Sequence, residues 1–277
     1  MPDELLQRLR RFRDDAFPRY QARFRELVDD GQHPSTLFIG CSDSRLVPYL
    51  LTGAGPGELF MVRNVGALVP PCCGRLDTND SESGAAGWLT RAAPEGTARW
   101  SGGYHGTAAA IEFAVLNLQV RHIVVCGHSH CGAIKALYED LSPEAVNLGA
   151  WLDLAREAVL PVRLFAPEAD DPQDGLRPEV LRRTEQRAIV LQLERLMDYP
   201  MVRRRVERRE LALHGWHYVI EDGEVHVFDV KSGLFIPASE AEHSGDGPFT
   251  LADETPLFNE IDDSYAPSAS HDLTVHR

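Results

Sequence analysis

The amino-acid sequence predicts an α/β fold in which helices flank a mostly parallel central sheet. Three short apolar runs, at residues 36–40, 58–62 and 122–126, have the unbroken apolar character of strands that are buried on both faces. Residues 107–120 lie between the second and third runs and carry apolar side chains at helical spacing, as expected of a crossover helix. Buried strands that alternate with helices favour a parallel sheet with both faces covered.

Helical periodicity predicts the helices on either side of these strands. Residues 3–30 have Leu and Phe at helical spacing, and Pro18 predicts a division into two helices because proline has no N–H to donate. Three more helical patterns follow later in the chain, at residues 132–139, 143–160 and 178–199, with the last of them closed by Pro200.

The folded domain is predicted to end with a β-hairpin. Residues 215–228 contain two apolar runs around a Glu-Asp-Gly turn, which is typical of a hairpin. We expect one domain at residues 1–230, interrupted by a polar surface insertion at about 72–102. Residues 231–277 are acidic and contain several prolines, so they are predicted to form a largely disordered C-terminal tail.

Composition and charge exclude several classes of protein. The chain has 277 residues and a formal net charge of -14, which argues against a protein that binds nucleic acid or anionic membranes. It has no apolar run near the roughly 20 residues that span a bilayer, and its start has no apolar signal segment. Five cysteines are few and odd in number, which suits the reducing cytoplasm.

Two short motifs carry the chemistry of this sequence. Residues 41–45 (CSDSR) follow the first predicted strand, and residues 128–132 (HSHCG) follow the third. Sites in open parallel sheets form at the carboxyl ends of strands, so both motifs can meet there. Two thiolates and one imidazole suit Zn²⁺ with a fourth position left open, whereas Mg²⁺ or Ca²⁺ would require oxygen ligands.

Together with residues 62–66 (VRNVG) and 110–114 (AIEFA), these motifs resemble those of the β-class carbonic anhydrases. The similarity is collinear from about residue 30 to 228 and includes residues 214–218 (HGWHY). It implies an enzyme that reversibly hydrates carbon dioxide to bicarbonate and a proton, with one Zn²⁺ per chain. It also implies N-terminal helices that pack on a dimer partner, in a homodimer or higher even oligomer.

The resemblance implies a role for each residue of the two motifs. Zinc would be bound by Cys41, His128 and Cys131, with Asp43 and Arg45 as the adjacent catalytic dyad. In one family state Asp43 pairs with Arg45 and accepts a hydrogen bond from hydroxide on the zinc. In the other state Asp43 leaves Arg45 and becomes the fourth ligand. A carboxylate only accepts hydrogen bonds, and a bidentate arginine would keep it ionised and away from the metal.

The resemblance also implies positions that contact the substrate. Gln32 would donate a hydrogen bond across the dimer interface, and the backbone N–H of Gly132 would favour a bicarbonate anion. Three apolar positions would line the same pocket: Phe60, Val65 and Phe113.

Structural interpretations of the same residues remain open at this point. Cys41 alone would be a small buried apolar residue at a strand end, and Asp43 with Arg45 would be a helix cap and a surface ion pair. We expect His130 to be exposed or a cap rather than a ligand or proton shuttle. Cys72 and Cys73 are a possible redox pair or accessory metal site, although loop cysteines without function are as common.

Two other functions fit the same set of residues. Some proteins of this fold hydrolyse carbon disulfide or carbonyl sulfide with the same zinc ligands, and access to the pocket would distinguish them. A non-catalytic zinc-binding scaffold is the third class, but it has no use for an orienting dyad of Asp43 and Arg45. A serine hydrolase is only weakly supported, because residues 127–132 are one residue too long for its Gly-x-Ser-x-Gly turn.

Overall fold

The computed structural model describes residues 3–72, 105–159 and 176–241. Nearly all of the insertion predicted at 72–102, and the tail beyond residue 241, lie outside the described residues. Among the helices of the described part, none is both long and apolar enough to cross a membrane.

Six strands form one sheet in the order β2-β1-β3-β4-β5-β6. They are β1 (Thr36–Cys41), β2 (Leu59–Asn64), β3 (His122–His128), β4 (Ala212–Val219), β5 (Glu224–Asp229) and β6 (Leu234–Pro237). Strand β1 pairs in parallel with β2 and with β3, and β3 pairs in parallel with β4. Strands β4, β5 and β6 are antiparallel neighbours. The predicted mostly parallel sheet is therefore confirmed.

Helices surround this sheet along most of the described chain. They are α1 (Asp3–Arg11), α2 (Phe17–Asp29), α3 (Pro48–Thr52), α4 (Gly106–Glu112), α5 (Gly132–Lys135), α6 (Val146–Leu152), α7 (Pro178–Leu196) and α8 (Pro200–Glu207). Short 3-10 or π segments continue several of them: Phe12–Ala16, Phe113–Asn117, Ala136–Tyr138 and Asp153–Ala158.

The prolines act at helix beginnings rather than as helix breaks. The two N-terminal helices are confirmed, but the change between them occurs in the π segment Phe12–Ala16, ahead of Pro18. Pro18 lies in the first turn of α2, where a missing N–H costs least. Pro200 was predicted to close a helix and instead begins α8, because α7 already ends at Leu196.

Close packing of α7 on the sheet fixes the carboxyl ends of the central strands. A Cβ atom placed on Gly127 would lie 2.9 Å from Cδ1 of Ile189, and one on Gly215 would lie 3.1 Å from its Cγ2. These glycines therefore let the helix approach β3 and β4 more closely than any larger residue would. All six residues of β1 are buried, which matches the continuous apolar run in the sequence.

The sheet continues past residue 230, where the tail was predicted to begin. Strand β6 pairs with β5, and the ring of Phe235 packs 5.3 Å from that of Phe228, between centroids. The turn before it is stabilised by the Asp229 carboxylate, which accepts hydrogen bonds from the N–H groups of Lys231 and Ser232. The boundary predicted at 230 therefore falls inside the sheet, at a hydrogen-bonded turn.

Candidate metal centre

Two neighbouring parallel strands bring the two motifs together. Strand β1 ends at Cys41 and β3 ends at His128, so both residues lie at the same edge of the sheet. Cys131 lies three residues further on, as the residue that caps the start of α5. All three side chains are buried, their ligand atoms lie within 4.8 Å of one another, and the two sulfurs are 4.0 Å apart.

One nitrogen of His128 is left available at this cluster. Nδ1 donates to the carbonyl oxygen of Ser129 at 2.8 Å, because a carbonyl can only accept. Nε2 is buried and has no hydrogen-bond partner among the described residues. An unpaired buried nitrogen costs about 1–3 kcal/mol, and metal coordination removes that cost. One such nitrogen with two thiols is a donor set that suits Zn²⁺.

The two thiols of the cluster share one hydrogen bond. The contact with Cys131 stabilises the thiolate of Cys41 and lowers the pKa of Cys41, while the same contact and burial raise the pKa of Cys131. One thiol is therefore ready to lose its proton before a cation is present. A bound cation would ionise the second.

Asp43 and Arg45 form a bidentate pair beside the cluster. Nε and Nη2 of Arg45 donate to the two carboxylate oxygens of Asp43 at 2.9 and 2.8 Å, and the Arg45 backbone N–H adds a third hydrogen bond. These bonds hold the pKa of Asp43 well below its usual range. Oδ2 of Asp43 lies 3.8 Å from Nε2 of His128. The carboxylate thus lies beside the Cys-His-Cys cluster while Arg45 holds it.

Arg63, at the exposed end of β2, holds the backbone of the first motif. Its guanidinium donates to the carbonyl oxygens of Cys41 at 3.1 Å and of Asp43 at 2.6 Å. Arg45 in turn donates to the carbonyl of His130 at 3.1 Å, which ties the two motifs to each other. The position of the dyad is therefore determined by backbone contacts on both sides.

The positions expected to contact substrate lie in different parts of this region. The rings of Phe60 and Phe113 are 5.6 Å apart between centroids, and the exposed Val65 directly follows β2. Gly132 is the exposed first residue of α5. Gln32 is exposed between α2 and β1 and makes no hydrogen bond to the cluster among the described residues. The structure therefore joins the metal ligands and dyad within one chain but not Gln32.

The other cysteines and His130 have simpler roles. Cys126 is fully buried in β3, where burial raises the pKa of its thiol, so it is a core residue. His130 is exposed, as expected, and its Nε2 lies 3.4 Å from Glu221. Cys72 is half-buried, and Cys73 lies outside the described residues.

Two acidic residues that the sequence analysis did not single out support the second motif. Glu221 accepts a hydrogen bond from the Ser129 hydroxyl at 2.6 Å and one from Arg182 at 3.0 Å. The bond from Ser129 is the main cause that lowers the pKa of Glu221 to about 2. Glu185 is buried on α7 and accepts a hydrogen bond from the backbone of Cys131. The sequence does contain a signal for Glu185, because it is an acidic residue on the face of α7 that is otherwise buried.

Comparison with known proteins agrees with this site. A family model described as carbonic anhydrase matches residues 36–225. The carbonic anhydrase of Synechococcus elongatus is 37% identical over 227 residues, which cover 80% of this chain and 70% of that protein. The carbonic anhydrase of Pseudomonas aeruginosa is 36% identical over 234 residues, which cover 84% and 89%.

Solved structures show the same fold. The β-carbonic anhydrase CcaA is 32% identical, with a TM-score of 0.66 over 85% of this chain and 91% of that one. A match at 28% identity and a TM-score of 0.57, over 81% of this chain and 96% of the other, belongs to a study of two tetrameric β-carbonic anhydrases from Sordaria macrospora. The matched segment includes the Cys-His-Cys cluster and the adjacent dyad. The chain therefore belongs to the β-class carbonic anhydrases and is an enzyme of that family.

Proposed function

We propose that the enzyme binds one Zn²⁺ per chain through Cys41, His128 and Cys131 and reversibly hydrates carbon dioxide to bicarbonate and a proton. The observation that carries the proposal is the buried, unpaired Nε2 of His128, which faces two thiols beside a bidentate carboxylate–guanidinium pair. A site that only held a metal for stability would be closed and would not need that pair.

The ligands determine how strongly the site activates water. Zinc, when bound, supplies Lewis acidity that makes water acidic enough to lose a proton near neutral pH. The thiolates of Cys41 and Cys131 offset the charge of the cation, so this site is a weaker acid catalyst than one with three histidines. We therefore expect activity to rise from neutral to alkaline pH.

Asp43 orients the nucleophile, and Arg45 orients Asp43. The ionised carboxylate can only accept, so an attacking hydroxide donates its one hydrogen to Asp43 and directs a lone pair toward the carbon of carbon dioxide. The two hydrogen bonds from Arg45 keep the carboxylate ionised and hold it in place. The arrangement corresponds to the paired family state rather than to the one in which Asp43 is a ligand.

We assign the substrate pocket to three apolar residues that suit an apolar gas. Val65 is exposed directly after the end of β2, whereas Phe60 lies near the start of β2, in ring contact with Phe113. We assign the backbone N–H of Gly132 to the bicarbonate product. Gln32 would complete the pocket of a neighbouring protomer, because it does not hydrogen-bond to the cluster of its own chain.

A homodimer, or a higher even oligomer, is the proposed assembly. Helices α1 and α2 have no buried residue, and the exposed apolar side chains of α1 and of the π segment after it include Leu5, Leu9 and Phe12. Contiguous apolar patches on a protein surface mark sites of contact with a partner. We also assign the enzyme to the cytoplasm, since Cys41, Cys126 and Cys131 are present as thiols.

Stopped-flow measurement of carbon dioxide hydration on zinc-quantified protein tests the proposal. We expect one zinc per chain and turnover that increases from neutral to alkaline pH. If the protein binds zinc and hydrolyses carbonyl sulfide or carbon disulfide but does not hydrate carbon dioxide, it is a hydrolase of those sulfur compounds. Bound zinc without either activity would indicate a scaffold.

A further inference from the structure

A buried carboxylate links the metal cluster to the core of the protein. Glu185 lies on α7 with 2% of its surface exposed. Its Oε1 accepts a hydrogen bond from the backbone N–H of Cys131 at 2.8 Å, and its Oε2 accepts one from Nε2 of His217 at 3.1 Å. His217 is on β4 and is fully buried. One side chain thus joins a helix, a strand and the loop that carries a metal ligand.

The contact depends on how closely α7 approaches the sheet. Glu185 is one helical turn before Ile189, which fits against Gly127 and Gly215. His217 pairs with Gly127 in the sheet register, and both face α7: Gly127 meets Ile189, and the ring of His217 meets Glu185. Larger residues at the two glycines would displace α7 and move the carboxylate away from Cys131.

Stability alone does not account for this arrangement. Burying a carboxylate carries a desolvation cost that a partner offsets only in part, and apolar residues in place of buried ion pairs are often as stable or more stable. The two hydrogen bonds satisfy both oxygens of Glu185, and one of them is to the backbone of a proposed metal ligand. Groups that hydrogen-bond to a metal-binding residue on the side away from the metal orient that residue and raise the affinity for the metal.

We propose that Glu185, held by His217, is a positioning residue of the metal centre. It fixes the backbone of Cys131 so that the sulfur of this residue stays beside Cys41 and His128. The inference rests on the proposed zinc site and adds to it a residue that determines how firmly the metal is held. Glu185 acts through the backbone N–H of Cys131 and not through its sulfur.

Three variants distinguish the effect of the side-chain length of Glu185, which we call its reach, from the effects of its charge and of burying a polar group on α7. Glu185→Asp keeps the charge but is shorter by one C–C bond of about 1.5 Å, so it loses the contact with Cys131. Glu185→Gln loses the charge but keeps an oxygen that accepts from the same N–H. Gln192→Met is the control: Gln192 is equally buried on α7 and accepts from the backbone N–H of Val69 at 2.9 Å, away from the metal cluster.

The readout is the rate at which the zinc-loaded protein transfers metal to a chromophoric chelator. We expect Glu185→Asp to release zinc about tenfold faster than wild type, as for other groups that orient metal ligands. We expect Glu185→Gln to stay within about threefold, because the amide oxygen replaces the carboxylate oxygen, and Gln192→Met within about twofold. The visible absorption of the cobalt-substituted protein should shift in Glu185→Asp only.

Several outcomes would overturn the proposal. Acceleration in Glu185→Gln but not in Glu185→Asp would show that charge rather than reach matters. Equal acceleration in Gln192→Met would show general loosening of α7, and unchanged release in every variant would show no role.

Hydrogen exchange at the Cys131 amide of the metal-free protein keeps the proposal testable without a metal. We expect slow exchange in wild type and faster exchange in Glu185→Asp. Exchange in wild type at the rate of an exposed loop amide would overturn the proposal even if Glu185→Asp does not fold. Absence of zinc from wild-type protein would instead contradict the proposed zinc site, and the amide measurement would still decide the role of Glu185.

Discussion

The Cys-His-Cys cluster and the N-terminal helices have opposite surroundings in the folded chain: the cluster is buried, and the helices are not. At the Cys-His-Cys cluster the three side chains are buried, and contacts from Arg63 on β2, Glu185 on α7 and Arg45 of the dyad hold the backbone of the two motifs. In α1 and α2 no residue is buried, although the segment carries exposed Leu and Phe side chains. One chain thus holds the Cys-His-Cys cluster and the dyad, whereas, as proposed above, the N-terminal helices and Gln32 have a second chain as their partner.

Loss of a metal ligand should have the largest effect on the first region. We expect Cys131→Ser to lose nearly all zinc and turnover, since a serine hydroxyl is a poor zinc ligand compared with a thiolate. Elemental analysis of purified protein measures the zinc. Cys126→Ser is the matched control, because Cys126 is equally buried but faces the core. Full zinc occupancy in Cys131→Ser would contradict the assignment of the ligands.

Removal of the carboxylate of the dyad should separate catalysis from metal binding. We expect Asp43→Ala to keep its zinc and to lose about 10²- to 10³-fold in kcat, the range for one positioned group that acts in the transition state. Asp153→Ala is the control, because Asp153 also pairs with an arginine but is exposed and lies outside the two motifs. Near-normal turnover of Asp43→Ala would remove the orienting role.

Charges placed on the N-terminal helix should affect assembly first and activity second. We expect Leu5→Asp with Leu9→Asp to give monomers in light scattering, because an apolar interface does not tolerate buried unpaired charge. Turnover should fall about tenfold, as one hydrogen-bonding group of the pocket is lost with the partner. Gln7→Asp adds a charge to the same helix without removing an apolar side chain. An unchanged oligomer would place the interface elsewhere.

The smallest expected effect is on stability, through Glu221. The pKa of Glu221 is lowered to about 2 in the folded protein, so its ionised form favours folding. Its contribution is complete above the unfolded pKa of about 4.5 and is lost as the pH falls toward 2. Glu221→Gln should therefore cost about 1 kcal/mol at neutral pH, a value limited by solvent exposure, and close to nothing at pH 2. Urea unfolding at both pH values checks this, and a cost that persists at pH 2 would contradict the ionic origin.

Sequence analysis identified the strands of the parallel sheet and the metal cluster because both signals are local. A buried strand shows its apolar run in six residues, and the two motifs each lie within five residues at a strand end. The helix ends were predicted less accurately. Pro200 begins α8 rather than ending α7, because the missing N–H and fixed φ of proline that interrupt a helix also suit the first turn of the next one. Strand β6 was missed because its four residues adjoin the acidic, proline-containing stretch that begins soon after them, and they were assigned to the tail with it.

The sequence by itself determined the fold class, the family and the residues that can bind a metal. Only the tertiary structure decided which polar groups support them, because those contacts join residues far apart in the chain. Glu185 is 54 positions from Cys131, and Glu221 is 92 positions from Ser129. No local pattern specifies such pairs. The first depends on the distance between α7 and the sheet, which two glycines and one isoleucine determine by packing, and the second depends on the pairing of β3 with β4.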